Sequence, residues 1–187
     1  LVTIDGKQQL IFTNRNILFS FNLKGDTIWT YQLPFSYIKS MPVLVGTDKI
    51  FLSGVRNPGF VIVQIKDNKA TKVLDGSSMK NDYSSSCYKD GYLYGFHVAA
   101  FRCISAETGE VSWTKRGMGK GSLILIDDNL LVLSDQGKLA IVDATPDAYT
   151  EKSATQVING KSWTAPSFAN GKLYVRNLTE MACYKLN

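Results

Sequence analysis

Apolar and polar residues alternate along most of this chain, and short turn signals separate the alternating runs. In 101–113, FRCISAETGEVSW, two such runs flank a Thr108-Gly109 turn, and the second run carries Trp113. Alternation on both sides of a turn is typical of a β-hairpin. The preceding stretch 84–96, SSSCYKDGYLYGF, predicts a second hairpin that turns at Asp90-Gly91. Together the two hairpins predict one four-stranded antiparallel unit.

Similar units recur along the whole chain, and helical periodicity is almost absent. The second strand of successive units begins near Leu10, Ile50, Tyr92, Leu130 and Leu173. A period of about 40 residues with several strands in each period is typical of β-propeller blades. We therefore predict an all-β fold with four four-stranded blades and a three-stranded fifth blade. The predicted blades of this single domain occupy 1–33, 41–76, 83–117, 122–158 and 162–187.

Turn chemistry and strand composition agree with this prediction. The predicted hairpin turns are Asp90-Gly91, Gln136-Gly137, Asn159-Gly160 and Asn170-Gly171. Residues of these types tolerate a positive φ. The runs VIVQI (61–65) and LAIV (139–142) are apolar on both faces, which fits strands packed between two neighbouring blades.

Composition restricts the class of protein without identifying a partner. The chain has 187 residues, of which 44% are hydrophobic, and a net charge of +5. No apolar run reaches the roughly 18 residues of a membrane-spanning helix. The densest basic cluster, Lys115, Arg116 and Lys120, fits a solvated surface, and no aromatic-basic platform is evident. We therefore expect neither a nucleic-acid partner nor a transmembrane segment.

The three cysteines, Cys87, Cys103 and Cys183, are expected to be unpaired thiols. An odd count excludes complete internal pairing. Cys87 falls on the first strand of its unit and Cys103 on the third, roughly 10 Å away, which is beyond the reach of a disulfide.

Several short stretches contain residue types found in binding or catalytic motifs, but they lack the spacing or the flanking structure of those motifs. Gly119-Lys120-Gly121-Ser122 departs from the phosphate-loop pattern and has no helix after it, which favours a connection between blades. The lone His97 has no acid or nucleophile assigned to it, and Ser84–Ser86, placed on an inner strand, lack the Gly-x-Ser-x-Gly turn of a nucleophile. Asn177-Leu178-Thr179 is a glycosylation sequon only in a glycosylating host. Asp127, Asp128, Asn129 and Asp135 do not fit an EF-hand and are interpreted mainly as turn residues.

The repeats resemble those of quinoprotein-type, or PQQ-like, β-propellers. The best copy of the repeat signature runs from Ser105 through Thr108-Gly109 to Trp113, and a looser copy ends at Trp29. In that family the Trp belongs to the outer strand and packs between adjacent blades. The resemblance extends to bacterial PQQ-binding-like propeller proteins and to the propeller lipoprotein of the outer-membrane β-barrel assembly machine. It covers essentially the whole chain.

Two functions follow from the resemblance. The first is a non-enzymatic, extracytoplasmic scaffold in the periplasm or cell envelope that presents loops to a protein or to a cell-envelope polymer. The alternative is a fragment of a PQQ-dependent alcohol or sugar dehydrogenase, which would hold quinone and calcium. The sequence has no adjacent cysteines and no evident ligand set for either, so no catalytic, cofactor-binding or metal-binding residue is assigned.

The pattern also predicts an incomplete ring. The chain opens within a first strand and closes after the third strand of another blade, and it has no initiator Met. We expect further blades upstream, and the resembling family implies about eight blades in total. An export signal could precede those blades. One face of 1–33 and one face of 162–186 are then expected to be apolar and uncovered.

Overall fold

The computed structural model, which describes residues 1–186, consists of 19 strands in five antiparallel sheets. Within each sheet the strands follow their order in the sequence. The first two sheets contain β1 (Val2–Ile4), β2 (Lys7–Asn14), β3 (Ile17–Phe21), β4 (Thr27–Gln32), β5 (Val43–Val45), β6 (Lys49–Ser53), β7 (Phe60–Lys66) and β8 (Lys69–Gly76). These sheets are the first and second blades of a β-propeller.

The remaining three sheets continue the same arrangement. The third and fourth blades contain β9 (Cys87–Lys89), β10 (Tyr92–His97), β11 (Ala100–Ser105), β12 (Val111–Lys115), β13 (Ser122–Ile126), β14 (Asn129–Leu133), β15 (Lys138–Asp143) and β16 (Glu151–Gln156). The fifth blade contains β17 (Ser167–Ala169), β18 (Lys172–Arg176) and β19 (Met181–Lys185). The predicted four complete blades and three-stranded fifth blade are confirmed. No helix in the described residues is long and apolar enough to cross a membrane.

The core is divided into clusters that lie between successive blades. One cluster joins the first blade to the second through Leu18, Trp29 and Val63. Others join the second to the third, the third to the fourth and the fourth to the fifth. Strands of the middle blades are buried on both faces; in β7, for example, Val61 and Ile62 are both fully buried. Burial against two neighbours explains why these strands lack a polar face.

The third and fourth strands of every complete blade share one irregularity. A register shift occurs at Ser20/Phe21, Ile62/Val63, Cys103/Ile104 and Ile141/Val142. Such bulges increase the local twist, which suits the outer strand of a strongly twisted blade. Because the shift occurs at equivalent positions, the four complete blades share the same strand pairing as well as the same sequence pattern.

The structure corrects two details of the predicted strands. Asn159-Gly160 is not a hairpin turn, because it lies in the connection between β16 and β17. Ser84–Ser86 precede β9 instead of lying on it. Ser86 Oγ donates a hydrogen bond to Asn81 Oδ1 at 3.0 Å, and the Met41 N–H donates to Ser85 Oγ at 2.8 Å. Ser85 therefore joins its connection to the preceding one, whereas Ser86 bonds within its own connection.

The outer face of the first blade is apolar and uncovered, as expected. It is formed by Leu10, Phe12, Phe19 and Phe21, which we call the first-blade outer face. Phe12 pairs across the strands with Phe19, and Leu10 with Phe21. Phe12 is 58% exposed.

The uncovered face of the fifth blade is not the apolar face that was expected. Tyr174, Met181 and Cys183 share it with Lys172, Arg176 and Lys185. The other face of this blade packs Leu173 and Val175 against the fourth blade. Lysine and arginine at alternating positions make the uncovered face amphipathic.

Candidate interaction site

The connections between blades come together on one side of the propeller. These linkers are 33–42, 77–86, 116–121 and 157–166. Each packs beside a loop between the second and third strands of a blade: the Leu33 N–H donates to Asn16 O at 2.7 Å, and the Val98 N–H donates to Lys80 O at 3.0 Å. Asp135 likewise donates its N–H to Met118 O at 3.2 Å. We call this side of the molecule the linker face.

One carboxylate ties three linkers together on the linker face. Asp82 accepts from Lys39 Nζ at 3.0 Å through Oδ1 and from Lys120 Nζ at 2.7 Å through Oδ2. Only 10% of the Asp82 side chain is exposed, while both lysines reach solvent. A shielded carboxylate between two ammonium groups holds the lysines in fixed positions and leaves the group with net positive charge.

The ionisation of these groups is coupled. Burial opposes the charge on Asp82, but hydrogen bonds from Lys120 and Lys39 outweigh it and hold the pKa of Asp82 below its ordinary value. The hydrogen bond to Asp82 in turn raises the pKa of Lys39 and the pKa of Lys120. All three groups are therefore charged near neutral pH.

Two aromatic rings from different linkers stack beside this ion cluster. The ring centroids of Tyr83 and Trp163 lie 4.5 Å apart with an interplanar angle of 12°. Lys39 Nζ lies 4.1 Å from the Tyr83 centroid, and Lys161 Nζ lies 3.7 Å from the Trp163 centroid. Because each ring covers one face of the other, the lysines must cover the outer faces. The result is a lysine–tyrosine–tryptophan–lysine sandwich stabilised by cation–π contacts.

The sandwich leaves the edges of its rings accessible. Tyr83 is 41% exposed and Trp163 38% exposed. A cavity of about 230 Å³ adjoins Trp163 and is lined by Lys161, Trp163, Thr164, Arg176, Asn177 and Leu178. Leu178 is 88% exposed at its edge. The cavity thus combines apolar walls with two cations, Lys161 and Arg176.

The loops of the linker face carry more cations than carboxylates. The cations are Arg15, Lys39, Arg56, Lys80, Arg116, Lys120 and Lys161. The carboxylates are Asp82, Asp135 and Glu180. Since Asp82 is already paired with two lysines, the accessible part of this face is positive and complements an acidic surface.

Sequence reasoning missed this site. The sequence analysis named no cluster of aromatic and basic residues, whereas the structure brings Tyr83 and Trp163 together with lysines. Its members are distributed over four linkers, in which neither alternation nor a motif marks them. The signal available in the sequence was the recurrence of a lysine or aromatic residue shortly before the first strand of a blade, as at Lys39, Tyr83, Lys120 and Trp163.

Gly119, Lys120 and Gly121 lie in the linker between the third and fourth blades, as expected, and Ser122 begins β13. Lys120 belongs to the ion cluster, and its N–H donates to Asp135 Oδ2 at 3.2 Å. Gly119 has φ 60°, and a Cβ there would lie 2.1 Å from Asp135 Oδ1. Glycine is thus required at this position for Asp135 to approach the linker.

The other candidate residues have local roles. Asp127 has φ 51° in the turn between β13 and β14, and Asp128 pairs with Lys89 at 2.7 Å. The described residues contain no group of three or more His, Cys, Asp or Glu side chains placed to hold a metal ion. Asn177 Oδ1 accepts from the N–H groups of Thr179 and Glu180, both at 2.8 Å, which shapes the loop between β18 and β19.

The three cysteines are free thiols in different environments. Cys103 is buried, Cys87 is half-buried and Cys183 is exposed. Burial raises the pKa of Cys87 and the pKa of Cys103 to about 11. Thiols with such values remain protonated near neutral pH and are poor nucleophiles.

The residues of the repeat signature lie between blades. Trp29 on β4 is buried against the second blade, and its Nε1–H donates to Gln9 Oε1 at 3.0 Å. Trp113 on β12 packs against the fourth blade and donates to Thr145 O at 2.9 Å. Gly109 has φ 75°, and a Cβ there would lie 2.9 Å from Phe60 Cζ of the second blade. The Glu110 N–H donates to Thr108 Oγ1 at 3.2 Å within the same turn.

Comparison with known proteins gives a likeness of fold. No family model and no curated protein matches the sequence. The structure is similar to the crystal structure of BamB from Moraxella catarrhalis, with a TM-score of 0.68 and 16% sequence identity. The match covers 98% of this chain but only 59% of the BamB chain. At this identity the likeness shows a β-propeller architecture, and this chain spans about three fifths of the BamB chain.

Proposed function

We propose that this chain is a non-enzymatic β-propeller scaffold that binds a protein partner through its linker face. The observation that carries the proposal is the Tyr83–Trp163 sandwich, fixed by three lysines and Asp82 beside a cavity of about 230 Å³. Exposed aromatic residues and cations held in a rigid arrangement are typical of the energetic centre of protein interfaces. The positive charge favours an acidic segment of the partner.

The geometry supports a protein partner better than a nucleic acid. Bases bind to aromatic platforms by stacking on an open ring face. In this structure Trp163 and the lysines occupy the faces of Tyr83, and Tyr83 and Lys161 occupy those of Trp163. Ring edges and ammonium groups remain accessible, and these suit carboxylates and apolar side chains.

We also propose an extracytoplasmic location in the periplasm or cell envelope, where the partner is a protein or an envelope polymer. The resemblance of the repeats to the propeller lipoprotein of the outer-membrane β-barrel assembly machine supports this location. The fold likeness to BamB is compatible with it.

Neither a quinone nor calcium is part of the proposed function. The sequence lacks the adjacent cysteines and the ligand set of the quinone-dependent dehydrogenases that its repeats resemble. A dye-reduction assay with added quinone, calcium and simple alcohols or sugars tests the alternative. Substrate-dependent turnover would establish the dehydrogenase, whereas its absence at all quinone concentrations is the expected result.

Affinity capture from the cells that make the protein tests the scaffold. The wild type is compared with a Lys161→Glu, Trp163→Ala variant and with a Lys24→Glu control, whose substitution lies in the loop between β3 and β4 on the opposite side. We expect a specific partner that the wild type and the control retain and the linker-face variant loses. Equal retention by all three proteins would contradict the proposal.

A further inference from the structure

Two arginines near the edge of the linker face lack a counter-charge. Arg102 on β11 donates through Nη1 to Ser78 O at 2.7 Å, while its Nε is buried without a partner. Arg116 follows β12 and is exposed. Among the described residues, the ion pairs all use lysines, and none includes Arg102 or Arg116. A partly buried cation without a carboxylate is costly unless an anion completes it.

The two arginines border a common cavity. It has a volume of about 330 Å³ and is lined by His97, Val98, Ala99, Ala100, Arg102 and Arg116. Val98 has φ 56°, a conformation that a β-branched residue rarely adopts. The hydrogen bond from its N–H to Lys80 O holds the loop in this conformation. A strained, anchored loop therefore forms one wall of the cavity.

The charged groups around the cavity are all basic. Burial lowers the pKa of Arg102, and the neighbouring charge of Arg116 lowers it further. Burial also lowers the pKa of His97, with contributions from Arg102 and Lys80. His97 also lines the cavity, and its Nδ1 is buried without a hydrogen-bond partner.

We propose that this cavity binds a phosphate-type oxyanion between Arg102 and Arg116. Guanidinium groups match the oxygen geometry of phosphate through paired N–H donors. A phosphate dianion balances two guanidinium charges, whereas one carboxylate balances only one. Arg102 provides the floor of the site and Arg116 its mouth. The volume leaves room for the group to which the phosphate is attached.

The direct test is titration calorimetry at constant ionic strength with inorganic phosphate, glycerol 3-phosphate and acetate. We expect saturable binding of a phosphate that exceeds acetate binding. In Arg116→Gln we expect the affinity to fall about tenfold or more, the size of one charge-assisted hydrogen bond. The control Arg15→Gln removes an exposed arginine from the first blade and should bind as the wild type does.

Vesicles containing phosphatidic acid distinguish a lipid headgroup from a free phosphate. If the protein binds these vesicles more tightly than glycerol 3-phosphate, and Arg116→Gln loses this binding, the natural ligand is a lipid headgroup. If it binds glycerol 3-phosphate more tightly than the vesicles, the natural ligand is a soluble phosphate compound. Absence of saturable binding in every phosphate arm overturns the proposal. Equal affinity for acetate and phosphate, or equal loss in Arg116→Gln and Arg15→Gln, overturns it as well.

Thermal unfolding of Arg102→Gln provides a second readout that does not depend on calorimetry. Glutamine removes the charge that lacks a carboxylate partner, but it is shorter than arginine and does not reach Ser78 O. Each protein without phosphate is therefore its own reference, and with saturating phosphate we expect only the wild type to gain stability. An equal gain in both proteins would contradict the role of Arg102.

Discussion

Tyr83 and Trp163 lie in linkers that flank different blades, and their rings nevertheless stack with centroids 4.5 Å apart. The contact bridges the linker that carries Lys120, whose Nζ lies 5.1 Å from the Tyr83 centroid. Packing of successive blades brings these connections together, so the stack is a property of the propeller and not of any one blade. It is the feature on which the proposed interface depends.

Removal of the central carboxylate should loosen this arrangement. In Asp82→Asn the side chain keeps its shape, but Lys39 and Lys120 lose their shared charged partner. We expect the free energy of unfolding to fall by about 1–2 kcal/mol. The loss is larger than for a surface pair because Asp82 is mostly buried, but it is limited because both lysines are exposed to solvent. Urea denaturation measures the change. The control Asp75→Asn breaks the exposed pair with Lys72 and should leave the stability unchanged within error.

The contribution of Asp82 should depend on pH in a defined direction. Its pKa lies below the ordinary value of 3.8, so its stabilisation is present above about pH 4 and is lost as the pH falls through the folded-state value. The lysine pKa values lie above 10.5, so their contribution is present below that pH and is lost as the pH rises through the folded-state values.

Denaturation of the wild type and Asp82→Asn from pH 2 to pH 11 tests this dependence. The difference between the two proteins should be constant from about pH 5 to pH 9 and should shrink at both ends. A difference that grows as the pH falls below 4 would show that Asp82 is not paired as described.

Gly109 should tolerate alanine poorly for two separable reasons. Its φ of 75° is unfavourable for any other residue, and the new Cβ would lie 2.9 Å from Phe60 Cζ in the preceding blade. We expect Gly109→Ala to lower the free energy of unfolding by about 2–4 kcal/mol. Gly25→Ala is the matched control, because Gly25 has φ 91° but no atom within 4 Å of its Cβ position. A loss no greater than that of the control would exclude the clash.

The first-blade outer face should make this chain self-associate. Exposed contiguous apolar surface favours association, and Phe12 is the most exposed residue of this face. We expect Phe12→Ser to reduce the apparent mass in light scattering at high protein concentration. Leu23→Ser removes an exposed apolar residue from the loop after β3 and should have little effect. If both variants behave alike, the face does not drive association.

Thiol reactivity should separate the three cysteines. Cys183 is exposed, whereas burial raises the pKa of Cys87 and the pKa of Cys103 to about 11. At pH 8 we expect one fast equivalent of thiol in the native protein and three after denaturation without reductant. Rapid labelling of all three in the native state would show that β9 and β11 are not packed as described.

The blades could be predicted from the sequence because local chemistry encodes them. Alternation marks the strands, and turns such as Asp90-Gly91 take up the positive φ that their residues tolerate. Trp29 and Trp113 marked two outer strands. Asn159-Gly160 was misassigned because the same dipeptide suits any turn with a positive φ, whether in a hairpin or in a linker.

The interaction site could not be predicted in the same way. Asp82, Lys120 and Trp163 are far apart in the sequence and lie in linkers without periodicity. Their proximity depends on how the blades pack side by side, which no local pattern specifies. The prediction of an apolar uncovered face on the fifth blade was wrong for a related reason. The residues that point away from the fourth blade are set by the register of β18 against β19.

Photo-crosslinking in the cells that make the protein tests the proposed interface most directly. A photoreactive amino acid replaces Leu178, at the edge of the cavity beside Trp163, in one variant and Leu23, in the loop after β3, in another. We predict a discrete crosslinked partner from position 178, joined through an acidic segment, and none from position 23. No crosslinked partner at position 178, or the same partner at both positions, would contradict the proposed interface.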